Sequence, residues 1–352
     1  MRKQLITALL ALAPAMPLLA QYRSENLFYM TDNPESLESF RQHAAQISIV
    51  APQVFFMSKT GVLAGMVDPR VLAIAKANQV KVEPLIVNKG FTADLLHQVV
   101  SSPIARKRAI GMMLLIARQY GLDGWQFDME GLNITDRENF TSFFEETADS
   151  LHAHNLQLSA ALVHTVENMG GTSAYLDFLF ENWRAGYDFK ALGQAGDFIS
   201  IMSYDEHTRR TTPGPVAGAD WVDRILRYLL AEGVPPGKIS MGIPSYSDYW
   251  YTDYTDEKGA FSTARQIPYK EVQFLLGKFG AQPVWNAKAG CNYAVWDNDG
   301  VFEYLYIEDA QSLKPKLDLL QKYKLRGISV WVLGREDPAS WEVLGKMTKR
   351  DK

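Results

Sequence analysis

Ten residues near the middle of the chain, Gly121-Leu-Asp-Gly-Trp-Gln-Phe-Asp-Met-Glu130, restrict the fold more than any other stretch. Successive side chains of a β-strand point to opposite faces, so a strand here divides in two. Trp125, Phe127 and Met129 make one wholly apolar face, which has to pack under helices. Gln126, Asp128 and Glu130 make the other, with Glu130 at the C-terminal end. The Asp123-Gly124 turn and the Trp/Phe/Met alternation argue against the first turn of an acidic helix. Burying two carboxylates costs several kcal/mol unless they are paired or hydrogen-bonded. Close carboxylates also push each other's acidities apart, which acid/base chemistry needs.

The rest of the chain repeats the strand-then-helix rhythm around this stretch. Strands are expected near 26–30, 47–57, 80–87, 156–163, 197–204, 238–244 and 326–333. Between them lie helical segments, among them a long one over 92–120 and another over 135–154 with a capping-box pattern at Thr135 to Glu138. Alternating strands and helices predict βα units around a parallel sheet. Eight such units predict an α/β fold, a closed (β/α)8 TIM barrel with its site on the C-terminal face of the strands. A barrel of roughly 250 residues plus an insertion fits the 352-residue chain. The insertion falls at 247–308, between strands seven and eight. That segment is rich in Tyr, Trp, Asp and Asn, is helical only near 268–279, and is too long for a bare loop.

Residues 1–20 read as a cleavable signal peptide: Arg2 and Lys3, an apolar run broken by Pro14 and Pro17, then Ala20 at the cut. Residues 21–352 would form the mature barrel, secreted or periplasmic. The full chain has 36 basic and 40 acidic residues, net −4, and loss of Arg2 and Lys3 would leave −6. That balance disfavours nucleic acid and anionic membrane as partners, and no membrane insertion of the mature chain is expected. Cys291 is the single cysteine, so there is no intrachain disulfide and no cysteine-based metal site. No cofactor and no metal are expected, and the chain is read as a monomer.

Asp123-Gly-x-x-x-Asp128-x-Glu130 resembles the catalytic strand of family 18 glycoside hydrolases, the chitinase-like barrels. It is most similar to the branch with spore-cortex N-acetylglucosaminidases and di-N-acetylchitobiase. Most of the family has Asp where this chain has Gln126, although that branch commonly carries an amide there. The stretches 198–205 (Phe-Ile-Ser-Ile-Met-Ser-Tyr-Asp), 241–246 (Met-Gly-Ile-Pro-Ser-Tyr) and 327–338 resemble the family's sixth, seventh and last barrel strands. The strand-three Ser-x-Gly-Gly motif is replaced by Asn88-Lys-Gly90.

The resemblance implies an α+β insertion and a retaining, substrate-assisted hydrolase of β-linked N-acetylglucosamine glycans, in which the substrate's acetamido group attacks. It places Glu130 as general acid, Asp128 as the carboxylate orienting the acetamido group, and Tyr204 as its hydrogen-bond donor. Gln126 becomes a neutral partner bonded to Asp128, and Trp331 the floor under the sugar. Met202, Asp205 and Tyr246 become pocket wall. Tyr29, Phe56, Asn88 and His164 are weaker candidates at strand ends, and Tyr293, Trp296 and Glu308 are candidates from the insertion. Two other readings compete: a non-catalytic, lectin-like glycan-binding barrel, and a metal-dependent hydrolase using Asp128 and Glu130 as oxygen ligands.

Overall fold

Strand four, Gly124–Asp128, pairs in parallel with Leu85–Asn88 on one side and Gln157–Val163 on the other. The computed structural model describes residues 24–167, 173–255 and 261–347, so the expected signal segment lies outside the described residues. The ladder continues through Phe198–Met202, Ile239–Pro244 and Gly327–Trp331. Glu25–Met30 pairs with both Gly327–Trp331 and Ile49–Met57, and the latter returns to Leu85–Asn88. Eight parallel strands therefore close into a barrel with helices outside it.

The apolar face of strand four packs outward as its alternation requires. Trp125 meets Phe55 edge-on at 5.0 Å, and Phe127 sits among Phe140, Phe143 and Phe144 of helix Arg137–His152. Inside the barrel, Leu27, Tyr29, Ile49, Ala51, Leu85, Ala161 and Phe198 form a separate apolar cluster. A polar layer crosses the same interior. Gln126 Nε2 donates to Ser159 Oγ (2.9 Å) and Ser200 Oγ (3.3 Å). Ser329 Oγ links Ser200 (2.7 Å) to Ser240 (2.6 Å).

Several boundaries differ from the sequence expectation, each for a local reason. Strand three is split into Lys81–Val82 and Leu85–Asn88, because Pro84 has no N–H to give the ladder. The helical region 92–120 is two helices, Ala93–Val100 and Pro103–Tyr120; Ser102 caps the second by accepting from Ala105 N–H. The capping box at Thr135 does not form. Asn133 Oδ1 takes the Thr135 N–H instead, a single turn follows, and the helix begins at Arg137. Strand two carries a bulge: Gln53 stands opposite Leu85 and Phe55 opposite Ile86, leaving Val54 as the extra residue.

Between strands seven and eight the chain folds into a five-stranded antiparallel sheet, ordered 261–268, 246–255, 301–307, 291–298, 284–286. Helix Tyr269–Phe279 covers one face, its Val272 and Leu275 packing with Tyr249, Ile267, Trp296 and Leu305 of the sheet.

Candidate active site

Eight of the residues singled out from the sequence, Tyr29, Asp128, Glu130, Met202, Tyr204, Asp205, Tyr246 and Trp331, line one cleft of about 270 Å³ at the C-terminal ends of the strands. Asp128 is 3 % exposed. Burial pushes its carboxyl up to about 6, opposed by a hydrogen bond from Gln53 Nε2 (3.1 Å). Glu130 goes higher, to about 8, through burial and then the negative charges of Asp128 and Asp205. Near neutral pH the cleft therefore holds one protonated and one ionised carboxyl at the end of one strand.

Glu130 is held through its backbone, which leaves its carboxyl free to act. Asn88 Nδ2 donates to the Glu130 carbonyl (2.8 Å), and the Glu130 N–H donates to Asn88 Oδ1 (3.0 Å). Tyr187 OH donates to the Met129 carbonyl (2.9 Å). Asn88, a weak candidate from the sequence, thus serves as a clamp on the neighbouring strand.

Opposite lies Asp205, with a positive φ of 61°. It accepts from the Tyr246 hydroxyl and from Gln266 Nε2 (3.2 Å). Burial, with Tyr29, Asp128, Asp205 and Glu130 nearby, raises the Tyr204 hydroxyl well above its ordinary value. It stays a donor at any working pH. Trp331 leans on Tyr29 with ring centroids 5.3 Å apart. Ser245 fixes the chain there: its N–H donates to the Trp331 carbonyl (2.8 Å), and its Oγ accepts from the Val332 N–H (2.7 Å).

Two expectations need correction. Gln126 is fully buried and spends its amide hydrogens on Ser159 and Ser200; it neither bonds Asp128 nor lines the cleft. The amide on Asp128 is Gln53, which the sequence reading missed. Gln53 continues the inward alternation of Ile49 and Ala51 and faces the cleft, and the bulge at Val54 then turns Phe55 outward onto Trp125. Its only signal was a lone polar residue within an apolar run. Phe56, 45 % exposed, opens onto a neighbouring groove instead of the cleft.

His164 braces the cleft from outside, its Nδ1 donating to the Met202 carbonyl (3.0 Å). In the insertion, Trp296 donates to Glu303 Oε2 (2.7 Å) within the subdomain core, and Tyr293 stacks on Tyr306. Glu308 pairs with buried Lys316 at 2.8 Å. The insertion reaches the cleft through Tyr246 and Gln266. Phe91 and Gln266, both unnoticed in the sequence, complete the lining. Among the described residues no group of three His, Cys, Asp or Glu side chains is placed to hold a metal ion.

Residues 49–336 match the model of glycosyl hydrolases family 18. The chain belongs to that family and is a glycoside hydrolase. It is 28 % identical over 361 residues to the uncharacterized glycosylase YvbX of Bacillus subtilis (strain 168), covering 99 % of this chain and all of that one. It is also 28 % identical to the cortical fragment-lytic enzyme of Bacillus subtilis, over 73 % of this chain and 57 % of the relative. Among solved structures, a chitinase from Chromobacterium violaceum superposes with a TM-score of 0.81 at 28 % identity, covering 93 % of this chain and all of that one.

Proposed function

We propose that the protein is a retaining hydrolase of β-linked N-acetylglucosamine glycans that uses the substrate's own acetamido group as nucleophile. The observation that carries this is the Asp128–Glu130 pair, with Glu130 the weaker acid in one cleft with Tyr204 and Trp331. Glu130 gives its proton to the glycosidic oxygen as the bond to C1 breaks, and the acetamido carbonyl oxygen closes on C1 from the other face. Ionised Asp128 supports the positive charge that develops on the acetamido nitrogen. Tyr204 donates to the acetamido oxygen and aligns it. Trp331 offers a flat aromatic face to the sugar ring. Glu130, now ionised, takes a proton from water, which opens the ring and restores the original anomer.

Relatives named for cortical fragments and chitin support this substrate class, as does di-N-acetylchitobiase of Homo sapiens, 24 % identical over 74 % of this chain. We also infer export, on the composition of residues 1–20. The direct test is the anomer formed in the first turnover on a chitooligosaccharide, followed by NMR. The β-anomer is expected, and the α-anomer would overturn the mechanism.

Gln53 supplies a second check. Gln53→Leu removes the hydrogen bond that favours ionised Asp128. Asp128 should then ionise at higher pH, moving the acid limb of the kcat profile upward. A hydrogen bond to a charged group is worth about 1.5–3 kcal/mol, so that limb should rise by roughly one to two pH units. An unmoved acid limb would mean that Asp128 does not govern it.

A further inference from the structure

We propose that the N-terminal mouth of the barrel carries a proton-operated latch built on Glu83. Protonated, Glu83 leaves Lys81 and Arg326 to Glu25, and the mouth is closed. Ionised, it draws both cations inward, and the mouth opens. These residues lie at the end of the barrel opposite the cleft, and the chemistry described above uses none of them.

Glu83 falls in the break of strand three, between Val82 and Pro84. Val82 belongs to the outer core and Leu85 to the apolar cluster inside the barrel, so alternation turns Glu83 inward. The side chain is wholly enclosed, and among the described residues neither carboxyl oxygen has a hydrogen-bond partner. The charges that bear on it are Lys81 on its own strand, Glu25 on strand one, Arg326 ahead of strand eight and Asp197 ahead of strand six. Only a side chain inside the barrel meets groups from so many strands. Burial pushes its carboxyl up to about 8, opposed by Lys81 and Arg326 and reinforced by Glu25 and Asp197.

A polar ring crosses the mouth outside it. The Glu25 carboxylate bridges Arg326 (2.6 Å) and Lys81 (3.8 Å). Lys81 Nζ also donates to Gln157 Oε1 (3.1 Å), and Gln157 Nε2 to Asp197 Oδ1 (3.5 Å). His152 Nε2 meets the other Asp197 oxygen at 3.0 Å. Glu25, Lys81, Asp197 and Arg326 are all part-exposed, so they form the rim and Glu83 lies beneath it. Arg326 Nε is buried without a hydrogen-bond partner. The closed mouth thus leaves a donor and two acceptors unmatched, which is costly in a buried site, and the inward state pairs them. Two carboxylates competing for the same two cations make the element bistable. Arg326 also lies 4.6 Å over the Phe198 ring, and Phe198, Leu85 and Tyr29 share the inner apolar cluster. Opening therefore loosens the packing on which the floor of the cleft rests.

Amide hydrogen exchange at the mouth, corrected for the intrinsic base-catalysed rate, is the test. From about pH 6 to about 8, amides of 25–30, 81–86 and 327–331 should lose protection roughly tenfold per pH unit, because each opening releases one proton. Above about 8, where Glu83 is ionised even in the closed form, the loss should level off. The insertion helix Tyr269–Phe279 should show no such slope. Glu83→Gln, neutral at every pH, should flatten the dependence at the mouth. Two variants of the rim decide the matter if Glu83→Gln does not fold. Glu25→Gln removes a charge that holds the proton and should move the levelling to lower pH. Lys81→Gln removes one that repels it and should move the levelling to higher pH. A flat profile in the unmodified chain, an unchanged slope in folded Glu83→Gln, or the same slope in the insertion helix would overturn the latch. So would rim variants that leave the levelling in place or shift it the other way.

Discussion

Glu130→Gln is expected to lower kcat on a chitooligosaccharide by at least roughly 10²–10⁴-fold, the range of a single positioned general acid, because the same group serves both halves of the reaction. The melting temperature should barely move. The amide matches the acid in shape, and Asn88 grips the Glu130 backbone and not its side chain. KM should change little, since the proton transfer belongs to the transition state. A folded Glu130→Gln protein with full turnover would place the acid elsewhere in the cleft.

Asp128→Asn should cost roughly 10²–10³-fold in kcat, the usual loss when one preorganised electrostatic stabiliser is removed. Its pH profile is the sharper readout. Glu130 must be protonated to act, and after burial the largest influence holding its proton is the charge of Asp128. Without that charge Glu130 ionises more readily, so the alkaline limb, expected near pH 8 in the unmodified protein, should move to lower pH. The acid limb expected near 6 from Asp128 should disappear. An alkaline limb that stays in place, measured on one soluble substrate, would show that the two carboxyls do not share their charge as described.

The parts of the site legible in the sequence follow regular alternation. Trp125 and Phe127 pack outward, and Asp128 and Glu130 enter the cleft, because nothing interrupts strand four. The unread parts lie where regularity breaks. Gln126 has the right parity but sits one layer too deep, where serines from two other strands take its hydrogen bonds. Gln53 shares the inward parity of Ile49 and Ala51, but the bulge that follows it at Val54 breaks that parity for Phe55 and Phe56 and hides the pattern. Pro84 divides a strand whose apolar pattern runs on across it. Gln266 approaches from the insertion, and its hydrogen bond to Asp205 depends on a packing between subdomains that no local pattern encodes. Strand order and barrel closure were readable because the eight units recur at barrel spacing.

The bulge at Val54 also bears on how such a site can change over generations. The additional residue follows Gln53, which meets Asp128 through the strand's own alternation, and it sets where Phe55 packs and where Phe56 stands at the groove. Gain or loss of one codon there would reshape the neighbouring groove while leaving the amide on Asp128 in place. Variation between relatives in the shape of that groove should therefore track insertions and deletions in this strand, and comparisons that score only replaced residues would overlook it.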